Sequence, residues 1–185
     1  LSMGGLPKYF LLNIAIPQGR FKEAFGILDG IKAFAKKYGI HVIGGDTTGG
    51  QNFFIAVTMF GDKCGTLWER KNAKPGDKIF IADYPGLSKT GFKALKKGLS
   101  GFDSSKERFL RPDPFQLFPK EKSAINCAID ISDSLISELT LISKFSNVTA
   151  IVDIERIPIH SELYEMAQIE QCETYEIALS SGEEF

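Results

Sequence analysis

The sequence predicts an α/β fold, in which short buried strands alternate with amphipathic helices. Apolar runs of strand length lie at residues 9–16 and 53–60. Between them, apolar residues recur every three or four positions from Phe21 to Tyr38, which is the spacing of one helix face. The composition is that of a globular protein, with 43% hydrophobic and 24% charged residues.

The first half of the chain contains three strand-like runs and one helix. Pro17 closes the first run, and Gly39 follows the helix at the position where glycine commonly ends one. The glycine-rich segment 44–50 lies between the second and third runs, so we expect it to be a connecting loop. The expected elements are strands at 9–17, 40–45 and 52–61 and a helix at 21–38.

The second half begins with residues that favour a turn. The run KPGD at residues 74–77 predicts a tight turn beside a domain boundary, which separates segments 1–72 and 73–185. Asp113 followed by a proline is typical of a helix start, and segment 101–108 has the polar composition of a loop. The other expected elements are strands at 78–82, 124–132 and 148–158 and helices at 87–99, 135–145 and 161–168.

The charge balance and the short apolar runs exclude several kinds of partner. With 22 basic and 23 acidic residues, the formal net charge is −1, which leaves no excess charge to track nucleic acid or an anionic membrane. The apolar runs are far shorter than the roughly 20 residues that span a bilayer. Three widely separated cysteines and two isolated histidines favour a cytoplasmic protein with reduced thiols and without a zinc site. These residues are Cys64, Cys127, Cys172, His41 and His160.

The two ends of the sequence resemble interrupted elements. The opening LSMGG is typical of the tail of a helix, and the closing SSGEEF stops where we expect a strand to begin. We therefore expect the chain to be an internal piece of a longer protein.

Asp46 follows two glycines in the segment HVIGGDTTGG, residues 41–50. Glycine lets the backbone approach a ligand closely, and successive N–H groups can then hold phosphate oxygens. An acid beside such a cradle repels phosphate unless a cation such as Mg²⁺ is bound by both. The alternative is an ordinary turn between strands, in which Asp46 only caps the backbone.

Asp130, Ser132 and Asp133 form a second acidic segment, at a predicted junction of strand and helix. On a strand, Asp130 and Ser132 would point to the same side. Asp133 would lie at the helix start, where unpaired N–H groups favour anions. The segment therefore suits a metal ion and a phosphate, or it simply caps the helix.

Two further sites carry isolated charges. Arg70 could donate two hydrogen bonds to phosphate oxygens, or it could be a solvated surface charge. Glu183 and Glu184 follow a small-residue turn and could meet a cationic substrate group, or they could lie on an exposed edge.

Five motifs together resemble thiamine-monophosphate kinase, within the superfamily of aminoimidazole ribonucleotide synthetase, selenophosphate synthetase and a hydrogenase maturation factor. The resemblance extends over essentially the whole chain, and the segment MGGLPKYFLLNIAIP also matches. The GGDTT form and the DISDS helix start favour the thiamine kinase within the superfamily. The motifs, in chain order, are IGGDTT, RKNAKPGD, FLRPDP, AIDISDSLISEL and ALSSGEEF.

The resemblance implies a fold of two mixed sheet-and-helix halves, both incomplete here, and a homodimer that uses ATP and Mg²⁺. It implies phosphorylation of thiamine monophosphate to thiamine diphosphate. It assigns Mg²⁺ to Asp46, Asp130 and Asp133, with no residue as a general base. It assigns ATP contacts to Gly45, Asp46, Arg70 and Ser132, and the thiamine contact to Glu183.

The chain also departs from the family pattern. The family's N-terminal acidic motifs are expected upstream of Leu1. Two other functions remain open from the sequence: another synthetase of the superfamily, and a non-catalytic nucleotide-binding protein. The departures are Ser134 and Ser181 in place of glycine, Gly49-Gly50 in place of arginine and glycine, Glu184 in place of aspartate, and Phe115 in place of arginine.

Overall fold

The structure is a computed structural model that describes residues 1–63, 65–114 and 124–184. The chain divides into two compact units. The sheet unit is Gly5–Gly65, and the helical unit combines Leu1–Gly4 with Thr66–Phe185. The mixed α/β fold is as predicted, and the domains 1–72 and 73–185 stay a prediction.

The sheet unit is a three-stranded sheet with one helix. The central strand pairs with one neighbour in parallel and with the other in antiparallel, which gives the order β2-β1-β3. The helix connects the two parallel strands, as such a crossover requires. The elements are β1 (Gly5–Pro17), α1 (Phe21–Tyr38), β2 (His41–Gly50) and β3 (Phe54–Lys63).

Alternate residues of β1 pack against α1. Phe10 and Ala35 are in one buried cluster, and Ile14, Ile16 and Ala24 are in another. Because successive strand residues point to opposite faces, the odd-numbered residues of β1 lie on the face away from α1. The helix ends at Gly39 with a left-handed backbone, as predicted.

The prediction of a loop at residues 44–50 was wrong. These residues continue β2, and their register against β1 runs from Leu11 opposite Gly44 to Pro17 opposite Gly50. The pairing with β1 is a non-local interaction, and it overrides the low strand preference of four glycines. The register shifts at the start of this stretch, because Phe10 is opposite Val42 and Leu11 is opposite Gly44, which leaves Ile43 of β2 as the extra residue.

The helical unit contains five α-helices and a 3-10 helix, Ile154–Arg156, in the part of the chain that the structure describes. Helices α2, α3, α5 and α6 surround a core that includes Leu87, Phe102, Leu163 and Ile177. The predicted helices at 87–99, 135–145 and 161–168 are confirmed, and α6 was not predicted. The bounds are α2 (Leu87–Lys97), α3 (Asp103–Leu110), α4 (Leu135–Ser146), α5 (Ser161–Glu170) and α6 (Thr174–Leu179).

Four other expectations for the helical unit were wrong. The segment 101–108 was expected to be a loop but is largely helical. Glu162 caps the start of α3 by accepting a hydrogen bond from Ser105 N, and the two residues are 57 positions apart in the sequence. The segments 78–82, 124–132 and 148–158 have no ladder partner within the described residues, apart from a single bridge between Ile131 and Glu184. A strand needs a hydrogen-bonded neighbour, and apolar composition does not supply one.

Several smaller expectations also have outcomes. The turn at 74–77 is confirmed, with a hydrogen bond from Asp77 N to Lys74 O at 3.1 Å. Cys127 and Cys172 are unpaired thiols, and Cys64 lies outside the described residues. The helix expected after Asp113 also falls on residues outside the described range. Over the described ranges, no helix has both the length and the apolar character that a bilayer crossing needs.

Candidate functional site

Asp46 lies on β2, on the sheet face that α1 leaves open. It is in register with Asn13 of β1, one of the odd-numbered residues on that face. The side chain is exposed, and its Oδ1 accepts a hydrogen bond from Thr47 N at 2.8 Å. Asp46 therefore presents a carboxylate to solvent from a rigid strand rather than from a mobile turn.

Gly45 brings β2 unusually close to β1. Its φ is +143°, and a Cβ atom at this position would lie 1.8 Å from the carbonyl oxygen of Leu12. No larger residue fits without moving one of the strands. The glycine is thus required by the sheet, whether or not it also contacts a ligand.

The acidic segment immediately precedes α4. Asp130 is half-buried and accepts a hydrogen bond from Ser2 Oγ at 3.2 Å, whereas Ser132 and Asp133 are exposed. Ser134 caps α4, with Oγ accepting from Ser137 N at 3.1 Å. The capping role predicted as an alternative for Ser132 and Asp133 therefore belongs to Ser134, which leaves their side chains at the surface.

Glu138 supports this acidic segment from inside the fold. The residue is only 3% exposed, and its Oε1 accepts from Asp133 N at 3.3 Å and lies 3.4 Å from Ser132 Oγ. Sequence reasoning missed it, although a glutamate in the first turn of a helix is a recognised capping signal.

The turn Gly182–Glu183 lies directly against the acidic segment. Glu183 N donates to Ser132 O at 3.0 Å, and Glu184 N donates to Ile131 O at 2.9 Å. A Cβ atom on Gly182 would lie 2.3 Å from Ser132 O, so the approach needs glycine. The structure therefore brings Ser132, Asp133 and Glu183 together.

Glu184 points the other way, into the helical unit. Its Oε1 accepts from Gly86 N at 2.9 Å, from Ser88 N at 3.0 Å and from Ser181 Oγ at 2.6 Å. Burial raises the pKa of this carboxyl above its ordinary value, although the three hydrogen bonds and Arg108 favour the charged form. From the sequence, Glu183 and Glu184 were both candidate substrate contacts. The fold shows that the side chain of Glu183 is exposed and that of Glu184 is buried.

Arg70 lies at the far end of α4 from the acidic segment. Its guanidinium stacks over the ring of Phe145 at 5.4 Å, and its carbonyl accepts from Ser146 Oγ at 2.6 Å. Because α4 has 12 residues, its two ends are about 18 Å apart. Arg70 and Ser132 are therefore not brought together, and they cannot contact the same phosphate oxygen in this arrangement.

The predicted metal ligands fit a hard cation by their chemistry. Asp46, Asp130 and Asp133 offer carboxylate oxygens, which Mg²⁺ prefers over nitrogen and sulfur. Within the described ranges, no group of three or more histidine, cysteine, aspartate or glutamate residues is placed to hold a metal ion by itself.

Comparisons with known proteins place the chain in a family. Residues 1–62 match the family described as AIR synthase related protein, N-terminal domain, and residues 74–184 match the corresponding C-terminal domain. The chain belongs to the AIR synthase related protein family. The two matched regions include every predicted site residue of this family member except Arg70.

Curated relatives of this AIR synthase related protein include thiamine-monophosphate kinases. The protein from Pyrococcus horikoshii is 34% identical over 186 residues, and the one from Bacillus subtilis is 31% identical over 198 residues. Both alignments cover 100% of this chain and 59% of the relative. The chain thus spans about three fifths of the length of these kinases.

Solved structures of this family share the fold. A thiamine monophosphate kinase from Aquifex aeolicus is 25% identical with a TM-score of 0.86, and the match covers 99% of this chain and 64% of that one. The kinase from Stenotrophomonas maltophilia is 28% identical with a TM-score of 0.79, covering 99% and 60%. A hydrogenase maturation protein, HypE, has a TM-score of 0.74 at 16% identity, which shows the fold alone.

Proposed function

We propose that the full-length protein transfers the γ-phosphoryl group of ATP to the phosphate of thiamine monophosphate, giving thiamine diphosphate. The observation that carries the proposal is similarity along the entire chain to curated thiamine-monophosphate kinases, at 31% to 34% identity. The local geometry supports it, because Ser132, Asp133 and Glu183 lie together on one exposed surface.

The acceptor chemistry explains a site built from acids rather than from a base. The second pKa of a phosphate monoester is about 6, so the acceptor oxygen is already ionised near neutral pH. The reaction then requires two polyanions to be held in line and their charge to be neutralised. No side chain has to remove a proton from the acceptor.

The aspartates are proposed to hold Mg²⁺. Asp46 presents its carboxylate from β2, and Asp130 and Asp133 present theirs beside the start of α4. Mg²⁺ held there would supply positive charge that offsets the repulsion between phosphate groups. Asp46 lies on a regular strand, and hydrogen bonds from Glu183 N and Glu184 N hold the backbone of the acidic segment, so the oxygen ligands are positioned before the reaction.

The nucleotide and the acceptor are proposed to use different groups. Gly45 and Asp46 on β2, together with Ser132, contact the phosphates of ATP. Arg70 contacts a different part of the nucleotide, because the length of α4 separates it from Ser132. Glu183 carries an exposed negative charge that complements the cationic thiazolium of thiamine monophosphate.

A substrate panel tests the proposal. We expect the full-length protein with Mg·ATP to convert thiamine monophosphate to thiamine diphosphate and to leave aminoimidazole ribonucleotide precursors and selenide unchanged. Turnover of one of the other substrates with none on thiamine monophosphate would assign the protein to another branch of the family. ATP binding without any turnover would indicate a non-catalytic protein.

We also propose that the full-length protein is a homodimer. Light scattering of the purified protein should give twice the mass of one chain across a tenfold dilution. A monomeric mass at micromolar concentration would contradict this assignment without affecting the proposed reaction.

A further inference from the structure

The carboxylate of Glu184 ties the start of α2 to the Gly182–Glu183 turn. Its Oε1 accepts hydrogen bonds from two backbone N–H groups, Gly86 N and Ser88 N, and from Ser181 Oγ. Ser181 is fully buried and extends the same link, since its Oγ also accepts from Lys89 N at 3.2 Å. One carboxylate oxygen therefore satisfies N–H groups that a helix start otherwise leaves unpaired.

The backbone on the other side of Glu184 reaches the acidic segment. Glu183 N and Glu184 N donate to the carbonyls of Ser132 and Ile131, as described above. Glu183 itself has φ of +58°, a left-handed backbone that costs energy for a residue with a side chain. Such a conformation persists only when the surrounding structure holds it in place. The hydrogen-bonded side chain of the next residue, Glu184, provides this restraint.

The Glu184 carboxylate is buried, which has a cost in folding free energy. The Glu184 side chain is 4% exposed, and its Oε2 has no hydrogen-bond partner although Arg108 Nε lies 3.9 Å away. Burying a carboxylate with one oxygen lacking a hydrogen bond opposes folding, and the ion pair with Arg108 offsets only part of this cost. A residue that served stability alone would gain from a fully paired or apolar replacement, so the position points to a role in placing its neighbours.

We propose that Glu184 is a positioning residue for the phosphoryl acceptor, acting through Glu183 and the acidic segment rather than by touching substrate. This rests on the proposed function, in which Glu183 meets the thiamine group. Glu184 fixes the left-handed turn at Glu183 and thereby fixes the separation between Glu183 and Asp133. Of the proposed nucleotide contacts, Ser132 lies beside this anchor, whereas Arg70 lies at the far end of α4.

The chain supplies a matched control in Glu162. Its carboxylate accepts from Ser104 N at 3.1 Å, from Ser105 N at 2.8 Å and from Ser105 Oγ, the same set of two helix-start N–H groups and one serine hydroxyl. This anchor holds α3 and contacts none of the predicted site residues. E162A therefore measures the cost of losing such an anchor without the positioning effect.

The test compares E184A with E162A in the full-length protein. We expect E184A to raise KM for thiamine monophosphate by roughly tenfold to a hundredfold and to raise the Kd for AMPPCP by a smaller factor, because Gly45, Asp46 and Arg70 are not part of the anchor. E184Q, which retains the accepting oxygen, should restore most of the loss in KM. E162A should lower Tm comparably and leave KM unchanged. Equal KM values for E184A, E162A and wild type would overturn the proposal.

Hydrogen exchange without substrate separates this proposal from the proposed function. Peptides covering residues 131–133 and 182–184 should exchange faster in E184A but not in E162A. If E184A does not fold, the milder variant S181A replaces E184A and S105A replaces E162A, and their exchange rates are compared in the same way. Faster exchange in a protein that does not phosphorylate thiamine monophosphate would reject the proposed function and retain the anchor. Unchanged exchange in E184A or S181A would reject the anchor whatever the activity.

Discussion

At the scale of single residues, exposure distinguishes three of the four acids proposed to contact ligands from the acids that support the site, and the fourth, Asp130, is half-buried. Asp46, Asp133 and Glu183 are exposed, whereas Glu138 and the Glu184 side chain are buried and hydrogen-bonded. An exposed carboxylate remains available to a cation, while a buried one is already committed to protein donors. We therefore propose that the exposed acids contact ligands and that the buried acids hold the surrounding backbone in place.

Replacing a proposed metal ligand should abolish most turnover and leave the fold intact. Asp46→Asn and Asp130→Asn remove one negative charge each without changing side-chain size. We expect each to lower Mg²⁺-dependent kcat by roughly a hundredfold to a thousandfold, the effect of losing one electrostatic contact to the transition state. Steady-state kinetics of the full-length variants measure this.

The control for Asp46→Asn is Asp62→Asn. Asp62 lies on β3, is also exposed, and pairs with Lys8 at the surface. Its substitution should leave kcat within about twofold, because a surface ion pair contributes little. Wild-type activity in Asp46→Asn or Asp130→Asn would remove that residue from the site.

Residue identity alone does not predict these roles. Glu183 and Glu184 are adjacent and chemically identical, and the sequence offered both as substrate contacts. Their difference arises from the start of α2, some 96 to 98 residues away along the chain, which captures one carboxylate and not the other. Such a contact depends on tertiary packing, and no local pattern encodes it.

At the scale of elements, β2 forms a strand because it pairs with β1, and its own residues have a low preference for strands. Gly45 and Gly49 lie on the same strand in different environments. A Cβ atom on Gly45 would overlap the Leu12 carbonyl, whereas one on Gly49 would meet nothing within 4 Å. The close approach of β1 therefore requires glycine at position 45, whereas position 49 has room for a side chain.

Alanine substitution should separate the two glycines. We expect Gly45→Ala to lower the free energy of unfolding by roughly 1–3 kcal/mol, because β1 and β2 must separate to admit the methyl group. Gly49→Ala should be neutral or slightly stabilising, since it restricts the unfolded chain without a clash. Urea denaturation of both variants measures the difference, and equal stabilities would contradict the close approach of the strands.

The packing of α2 against α5 should respond to acid. Ion pairs with Lys93 and Lys97 lower the pKa of the Glu170 carboxyl from 4.5 to about 2. Since the folded-state pKa is depressed, these pairs stabilise the fold above pH 4.5, and the stabilisation is lost as the pH falls toward 2.

Glu170→Gln should therefore be less stable than wild type near pH 7, and the difference should shrink at about pH 3. Glu165→Gln, an exposed change on the same helix, is the matched control. Denaturant titrations at both pH values measure this. A gap between Glu170→Gln and wild type that stays constant from neutral to acid pH would contradict the ion-pair assignment.

Helices were predicted from sequence more reliably than strands. The spacing of apolar residues identified α1 and α4, and α2 and α5 were also predicted, because helical hydrogen bonds are local. Strand-like runs at 78–82 and 148–158 have no strand partner within the described residues, and the glycine-rich part of β2 forms a strand through pairing with β1. Strand formation requires a partner, which composition does not reveal.

At the scale of the whole molecule, the two family domains occupy successive parts of the chain. Gly45 and Asp46 lie in the sheet unit, and Arg70, the acidic segment and Glu183 lie in the helical unit. The order of five motifs predicted the family, because each motif alone is common and their succession is not. The close approaches at Gly45 and Gly182 became evident only from the structure.

The most direct test of the central proposal is phosphorus NMR of a reaction containing the full-length protein, Mg·ATP and thiamine monophosphate. We predict that the thiamine phosphate resonance is replaced by the two coupled resonances of a diphosphate, with one ADP formed for each thiamine diphosphate. The Asp130→Asn variant should show neither change on the same timescale. Release of inorganic phosphate from ATP with the thiamine phosphate resonance unchanged would contradict the proposed phosphoryl transfer.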